Sequence, residues 1–149
     1  MSAAYWLSKN LQECFAIQGD AHDWIMSLWN AIQVFDDMAD GDFPDRENLF
    51  ACIADTLVNM PANEFFREHC DTLLPLVAVA LLKWRAADDV ELEHKPTEMS
   101  YAWRAGFYDI VLAVVQIFHG IEVAKDAARY VMSMYGESYA DYHKEFANA

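Results

Sequence analysis

The chain has 149 residues, 55% hydrophobic and 14% aromatic, which is enough apolar material for a single core and is read as one helical domain over residues 1–149. Twenty-four acids against ten bases give a net charge of −14, which argues against direct contact with nucleic-acid backbones or anionic membranes and leaves metal ions and basic proteins as partners. The N-terminus carries no basic stretch leading into an apolar one, and no apolar run approaches the ~20 residues of a bilayer span, so a soluble cytoplasmic protein is expected.

Taken in order, the chain reads as helices joined by short turns, with no strand-like alternation and no repeat. The expectation is an all-α bundle of about six helices. A first amphipathic helix covers residues 3–17 and stops at Gly19. Asp20 caps a second, whose apolar residues Ile25, Leu28, Ile32, Phe35 and Ala39 recur at helical spacing until Gly41 and Pro44 end it. Pro44-Asp45 opens a third through Leu49, Ile53, Leu57 and Met60, ended by Pro61. A short piece at 63–70 leads to a fourth, entered near Asp71-Thr72, tolerating Pro75 in its first turn and running to about residue 93. Thr97 is the N-cap of a fifth that reaches His119 and breaks at Gly120; a sixth occupies the remainder. The fifth is apolar nearly all round, so residues 110–118 should be the least exposed part of the chain.

Short turns make successive helices antiparallel, so the C-ends of the second, fourth and sixth should share one mouth with the N-ends of the third and fifth. Acids collect on those ends. Asp36 and Asp40 lie one turn apart on the second helix, with Asp37 turned further toward solvent, and all three stand where the helix dipole is negative and a cation would be welcome. On the fourth helix Asp88 falls within the stripe of Leu74, Val77, Leu81, Trp84 and Leu92, so it should point inward, where an acid needs a partner. Arg104 is level with it across the turn at Pro96, and Glu137 is level with Arg104 around Gly120. Tyr101 and Tyr108 share the stripe of Arg104. An Asp88–Arg104 ion pair that sets helix register is the simplest use of those two residues.

The segment Asp36-Asp37-Met38-Ala39-Asp40 has the DDxxD form of the isoprenoid synthases. With Ala31-Ile32-Gln33-Val34-Phe35 before it and Gly41-Asp42 after it, it resembles the aspartate-rich helix of trans-prenyl diphosphate synthases, including a Gln three residues before the paired acids. The resemblance covers about twelve residues. It implies an isoprenoid-synthase-like helical core in which Asp36 and Asp40, with Asp37 in a lesser role, hold Mg²⁺ against a substrate diphosphate. Asp88 would join the metal ligands, and Arg104, Tyr108, Glu137 and Gln33 would line the ligand site. Mg²⁺ chemistry suits such a place, because the ion commonly binds through one or two carboxylates plus phosphate oxygens. The chain departs from that family in being about half its length and in lacking a second DDxxD.

Other readings compete. A small, very acidic helical protein also fits a non-enzymatic module that binds a basic protein or mimics nucleic-acid charge, of the kind found in phage and mobile-element genomes. Asp37-Met38-Ala39-Asp40 and Asp88-Asp89-Val90-Glu91 imitate, with the wrong acids and spacing, the paired ExxE and ExxD motifs of all-α nucleotide pyrophosphohydrolases. The five histidines form no HxxxH or HExxH pattern, which argues against zinc. Cys14, Cys52 and Cys70, odd in number and without CxxC spacing, read as reduced thiols.

Overall fold

The computed structural model describes residues 1–147, and among them helices and turns are the only regular structure, as the patterning predicts. The chain falls into two compact units, Met1–Cys70 and Asp71–Ala149. More helical segments appear than the six expected: α1 (Ala3–Glu13), α2 (Gly19–Ala39), α3 (Arg46–Ala54), a π-helical stretch (Asp55–Asn59), α4 (Met60–Ala62), α5 (Glu64–Leu92), α6 (Glu98–Trp103), α7 (Gly106–His119), α8 (Ile121–Met132) and α9 (Tyr139–Ala147). No helix is long and apolar enough to cross a membrane among the described residues.

In the first unit α1 stops four residues short of its expected end. Ala16 adopts φ 50, and the bend buries Phe15 and Ile17 on its two sides. The left-handed residue costs about 1–2 kcal/mol, which the burial of two large apolar side chains, at ~1.5–3 kcal/mol each, outweighs. The core face of α2 is Ala21, Trp24, Ile25, Leu28 and Ala31, whereas Phe35 is 53% exposed and Ala39 is exposed too. The core-facing stripe therefore ends at Ala31, about one and a half turns before the DDxxD segment. Asp45 caps α3 by accepting from the Asn48 amide at 2.8 Å. The third helix then widens before Pro61: Thr56 donates its hydroxyl back to the Cys52 carbonyl at 2.8 Å, and the proline ahead has no N–H to donate to the regular ladder.

The expected break at residues 70–71 does not occur. Asn63 accepts from the Phe66 amide at 3.0 Å and starts one continuous α5, with Pro75 in its interior and not its first turn. Pro75 lies on the exposed side, where a distorted backbone turn meets solvent and not core. In the second unit Thr97 and Ser100 form the capping box of α6. The expected fifth helix is divided at Arg104–Ala105, and α7 begins with Gly106, where an added Cβ would lie 2.8 Å from Ala80 Cβ and 3.0 Å from Ala80 Cα. That contact between α5 and α7 requires glycine. Ile110, Val111, Val114 and Val115 are buried as expected, but Phe118 at the end of the run is 43% exposed. Gly120, at φ +86, turns the chain into α8, and the expected sixth helix divides again before α9, whose Tyr142 is fully buried.

Candidate functional site

Two polar sites stand out, one in each unit. In the first, the last two turns of α2 carry Gln33, Asp36, Asp37 and Asp40 without a basic residue in the final turn. Asp40 is the C-cap, its amide donating to the Asp36 carbonyl at 3.1 Å, and the Asp42 amide donates to the Asp37 carbonyl at 2.8 Å. Asp36 is half-buried; Asp37 and Asp40 are exposed. The helical period sorts these residues into two pairs, Asp36 with Asp40 and Gln33 with Asp37. The second pair lines a cleft of about 380 Å³ that α2 shares with α3, together with Asn30, Asn48, Cys52 and Asp55.

Asp55 opens the π-helical stretch and is held from two sides, by the Ser27 hydroxyl at 3.3 Å and the Asn59 amide at 3.0 Å. Burial, with the Asp55 charge second, pushes the Cys52 thiol up, so it stays protonated and inert at neutral pH. The cleft thus offers two carboxylates and three side-chain amides, with no basic residue in its lining. Chemically it can hold a cation, or a hydrated metal whose waters the amides and carboxylates accept from. Among the described residues no three His, Cys, Asp or Glu side chains already converge as a metal cage.

The second unit holds a buried network around Arg104, whose side chain is only 13% exposed. Arg104 is the C-cap of α6, and the helix break behind it turns the guanidinium inward. Its Nη1 lies 3.3 Å from Glu137 Oε2 and its Nε 3.8 Å from Glu91 Oε1, and it sits over the rings of Tyr142 and Phe146 at 5.4 and 5.2 Å. The Tyr142 hydroxyl donates to Glu91 Oε2 at 3.2 Å and is 2.7 Å from Ser100 Oγ, itself fully buried. The Tyr135 hydroxyl reaches Glu137 Oε2 at 3.3 Å, and the Tyr101 hydroxyl donates to the Glu137 carbonyl.

Burial, reinforced by the Glu91 charge, pushes the Tyr142 phenol up to about 12, the Ser100 hydrogen bond opposing. Tyr135 is raised further by burial and then by Glu137, and Tyr108 by burial alone. Such groups are neutral donors under all ordinary conditions. The arrangement is an Arg held between two carboxylates and roofed by aromatic rings, which suits fixing four chain segments better than meeting a ligand.

The sequence expectation for this network is half met. Arg104 and Glu137 do come together. The inward acid, however, is Glu91, 7% exposed, and not Asp88, which is partly exposed and makes no hydrogen bond or ion pair among the described residues. The cause is the choice of face on α5. Leu74, Leu81 and Leu92, expected inside, are 54%, 62% and 70% exposed, while Leu73, Ala87 and Glu91 point inward. Leu73, Val77, Ala80, Trp84 and Ala87 on one stripe and Leu74, Ala78 and Leu81 on the next are both apolar, so periodicity could not choose between them. Tyr108 is half-buried with its ring 5.7 Å from that of Tyr135, at the margin of the network. Glu91, Ser100, Tyr135 and Tyr142 were not singled out from the sequence; nor were Asn30, Asn48 and Asp55. The capping-box pattern at Thr97 and the polar spacing Asn48-Cys52-Asp55 on one helix face were the available signals.

No protein-family model matches the chain, and neither a curated protein nor a solved structure does.

Proposed function

We propose that this chain binds a Mg²⁺-carried, diphosphate-bearing ligand at the C-end of α2, in the cleft that Gln33 and Asp37 line. The observation that carries the reading is that Asp37 of the DDxxD segment, with Gln33 one turn before it, opens onto a cavity furnished by Asp55, Asn30 and Asn48 and lined by no basic residue. A diphosphate alone would be repelled there. With Mg²⁺ it arrives neutralised, the metal taking one or two carboxylates and keeping waters that the amides can hold. Phe35, Met38 and Phe43, all exposed at this end of α2, would cover an apolar tail of the ligand, such as a prenyl chain. Binding, not turnover, is what this proposal asserts.

Melting curves test it. Mg²⁺ should raise the melting temperature beyond sodium at matched ionic strength, and diphosphate should add to the shift by mass action. Asp37→Asn with Asp55→Asn, which line the cleft, should remove most of the ion-specific part, and Asp36→Asn with Asp40→Asn, outside its lining, a smaller part. Equal shifts in Mg²⁺ and matched sodium would overturn the reading.

A second reading, a non-catalytic module that binds a basic protein, is favoured by α3 and the π-helical stretch after it. Outside the cleft lining they leave Leu49, Phe50, Ile53 and Leu57 exposed by 37%, 69%, 46% and 72% on a strongly acidic chain. A basic, amphipathic peptide whose binding is lost in Phe50→Glu and is indifferent to Mg²⁺ would select it.

A further inference from the structure

From Asp71 onward the inward face of α5 is used within the second unit, but its outward face is not polar. Leu74, Pro75, Ala78, Leu81 and Leu82 are all exposed there. Charged residues bracket them with a regularity that the helix itself does not require. Asp71 and Arg85 stand seven residues either side of Ala78, Leu74 and Leu82 four, and Pro75 and Leu81 three. Eleven residues out, Arg67 and Asp89 repeat the charge opposition with its sign reversed. Spacings of three and four keep Asp71, Leu74, Ala78, Leu82 and Arg85 on one strip, and Arg67 and Asp89, eleven residues either side of Ala78, fall within about 20° of its line.

We propose that this face pairs with the same face of a second copy of the chain, antiparallel, about a two-fold axis at Ala78. The axis sets Ala78 against its counterpart, where two small side chains let the helices approach. It places Leu74 beside the partner copy's equivalent of Leu82. It also brings each acid of the strip to a base: Asp71 meets the position of Arg85, and Asp89 that of Arg67. Parallel pairing would instead set every charge against its own kind. Arg85 already holds Asp89 of its own helix, Nε to Oδ1 at 3.0 Å, and a guanidinium has donors left for a second carboxylate. A two-fold interface is self-complementary by necessity, and charge that inverts about one central residue is what such an interface needs and what a surface serving an unrelated partner does not. Antiparallel pairing also opposes the two helix dipoles.

The experiment is the solution mass by light scattering or sedimentation at about 0.15 M salt, where the repulsion between two chains of −14 is screened beyond ~8 Å. The wild-type chain should reach twice 17.1 kDa as concentration rises. Ala78→Glu, which puts two carboxylates on the axis, should remain at the single-chain mass with unchanged helical circular dichroism. Asp71→Arg and Arg85→Asp should each weaken self-association at least tenfold, because each sets like charges face to face twice. Mixed one to one they should recover the doubled mass, since in the mixed pair both contacts again join opposite charges. A wild-type chain that stays at 17.1 kDa throughout overturns the proposal and leaves the face to another protein. So does a doubled mass that survives Ala78→Glu, or a mixture of the two charge variants that stays single.

Discussion

The two acidic groupings of this protein differ in every physical respect. At the C-end of α2 the acids are neighbours in sequence, open to solvent or half so, and placed against the helix dipole; around Arg104 they come from α5 and from the turn before α9, are largely dry, and are knitted to a guanidinium and three phenols. Proximity along the chain gives a group that can respond to an ion in solution. Convergence from distant segments gives a group that holds the fold. Substitution should therefore move stability at Arg104 and ligand response at α2, and each of the following expectations can break that division.

Replacing Arg104 by Met should show the largest effect, a loss of about 3–5 kcal/mol in urea unfolding, because Glu91 remains inside without its charge partner. A change below ~0.5 kcal/mol would mean that the network is not dry, and the contrast would collapse. Tyr142→Phe should cost about 1–3 kcal/mol, since it removes a donor from buried Glu91 and a partner from Ser100 while leaving the ring on Arg104.

The same phenol gives a pH dependence of definite sign. Its raised pKa means that the folded chain keeps the proton longer than the unfolded chain does. The stability it contributes is therefore full below about pH 10 and is lost as the pH rises toward 12. Ultraviolet titration should show exposed tyrosines ionising ahead of Tyr142 and Tyr135, with the late group appearing together with alkaline unfolding. A single tyrosine transition near pH 10 in a chain that is still folded would show the network to be open to solvent.

The smallest stability effect belongs to the other region. Asp37→Asn, at an exposed site, should shift stability by no more than about 0.5 kcal/mol while reducing the Mg²⁺-specific rise in melting temperature. A large destabilisation without any change in ion response would make the α2 end a structural element like the Arg104 network.

Much of this was readable in the residues, for identifiable reasons. Helical class followed from apolar spacing without alternation. The Thr97 cap and the stops at Gly41 and Gly120 followed from local backbone chemistry, which acts within one turn. The acids of α2 were legible because consecutive turns of one helix fix their relation.

What the sequence could not choose was decided by packing. Two adjacent apolar stripes on α5 left its inward face undetermined, and the approach of Gly106 to Ala80 is a contact between helices, invisible to any local rule, that accompanies the start of α7 and leaves Arg104 at the break. The exchange of Asp88 for Glu91 as the partner of Arg104 follows from the face of α5 that packing turned inward. Composition and period determined that this protein is helical, acidic and well supplied with core. Which acid is buried, and which stripe of α5 is left facing outward, depended on long-range close packing, because a helix with two equally apolar stripes is oriented only by the neighbours it meets.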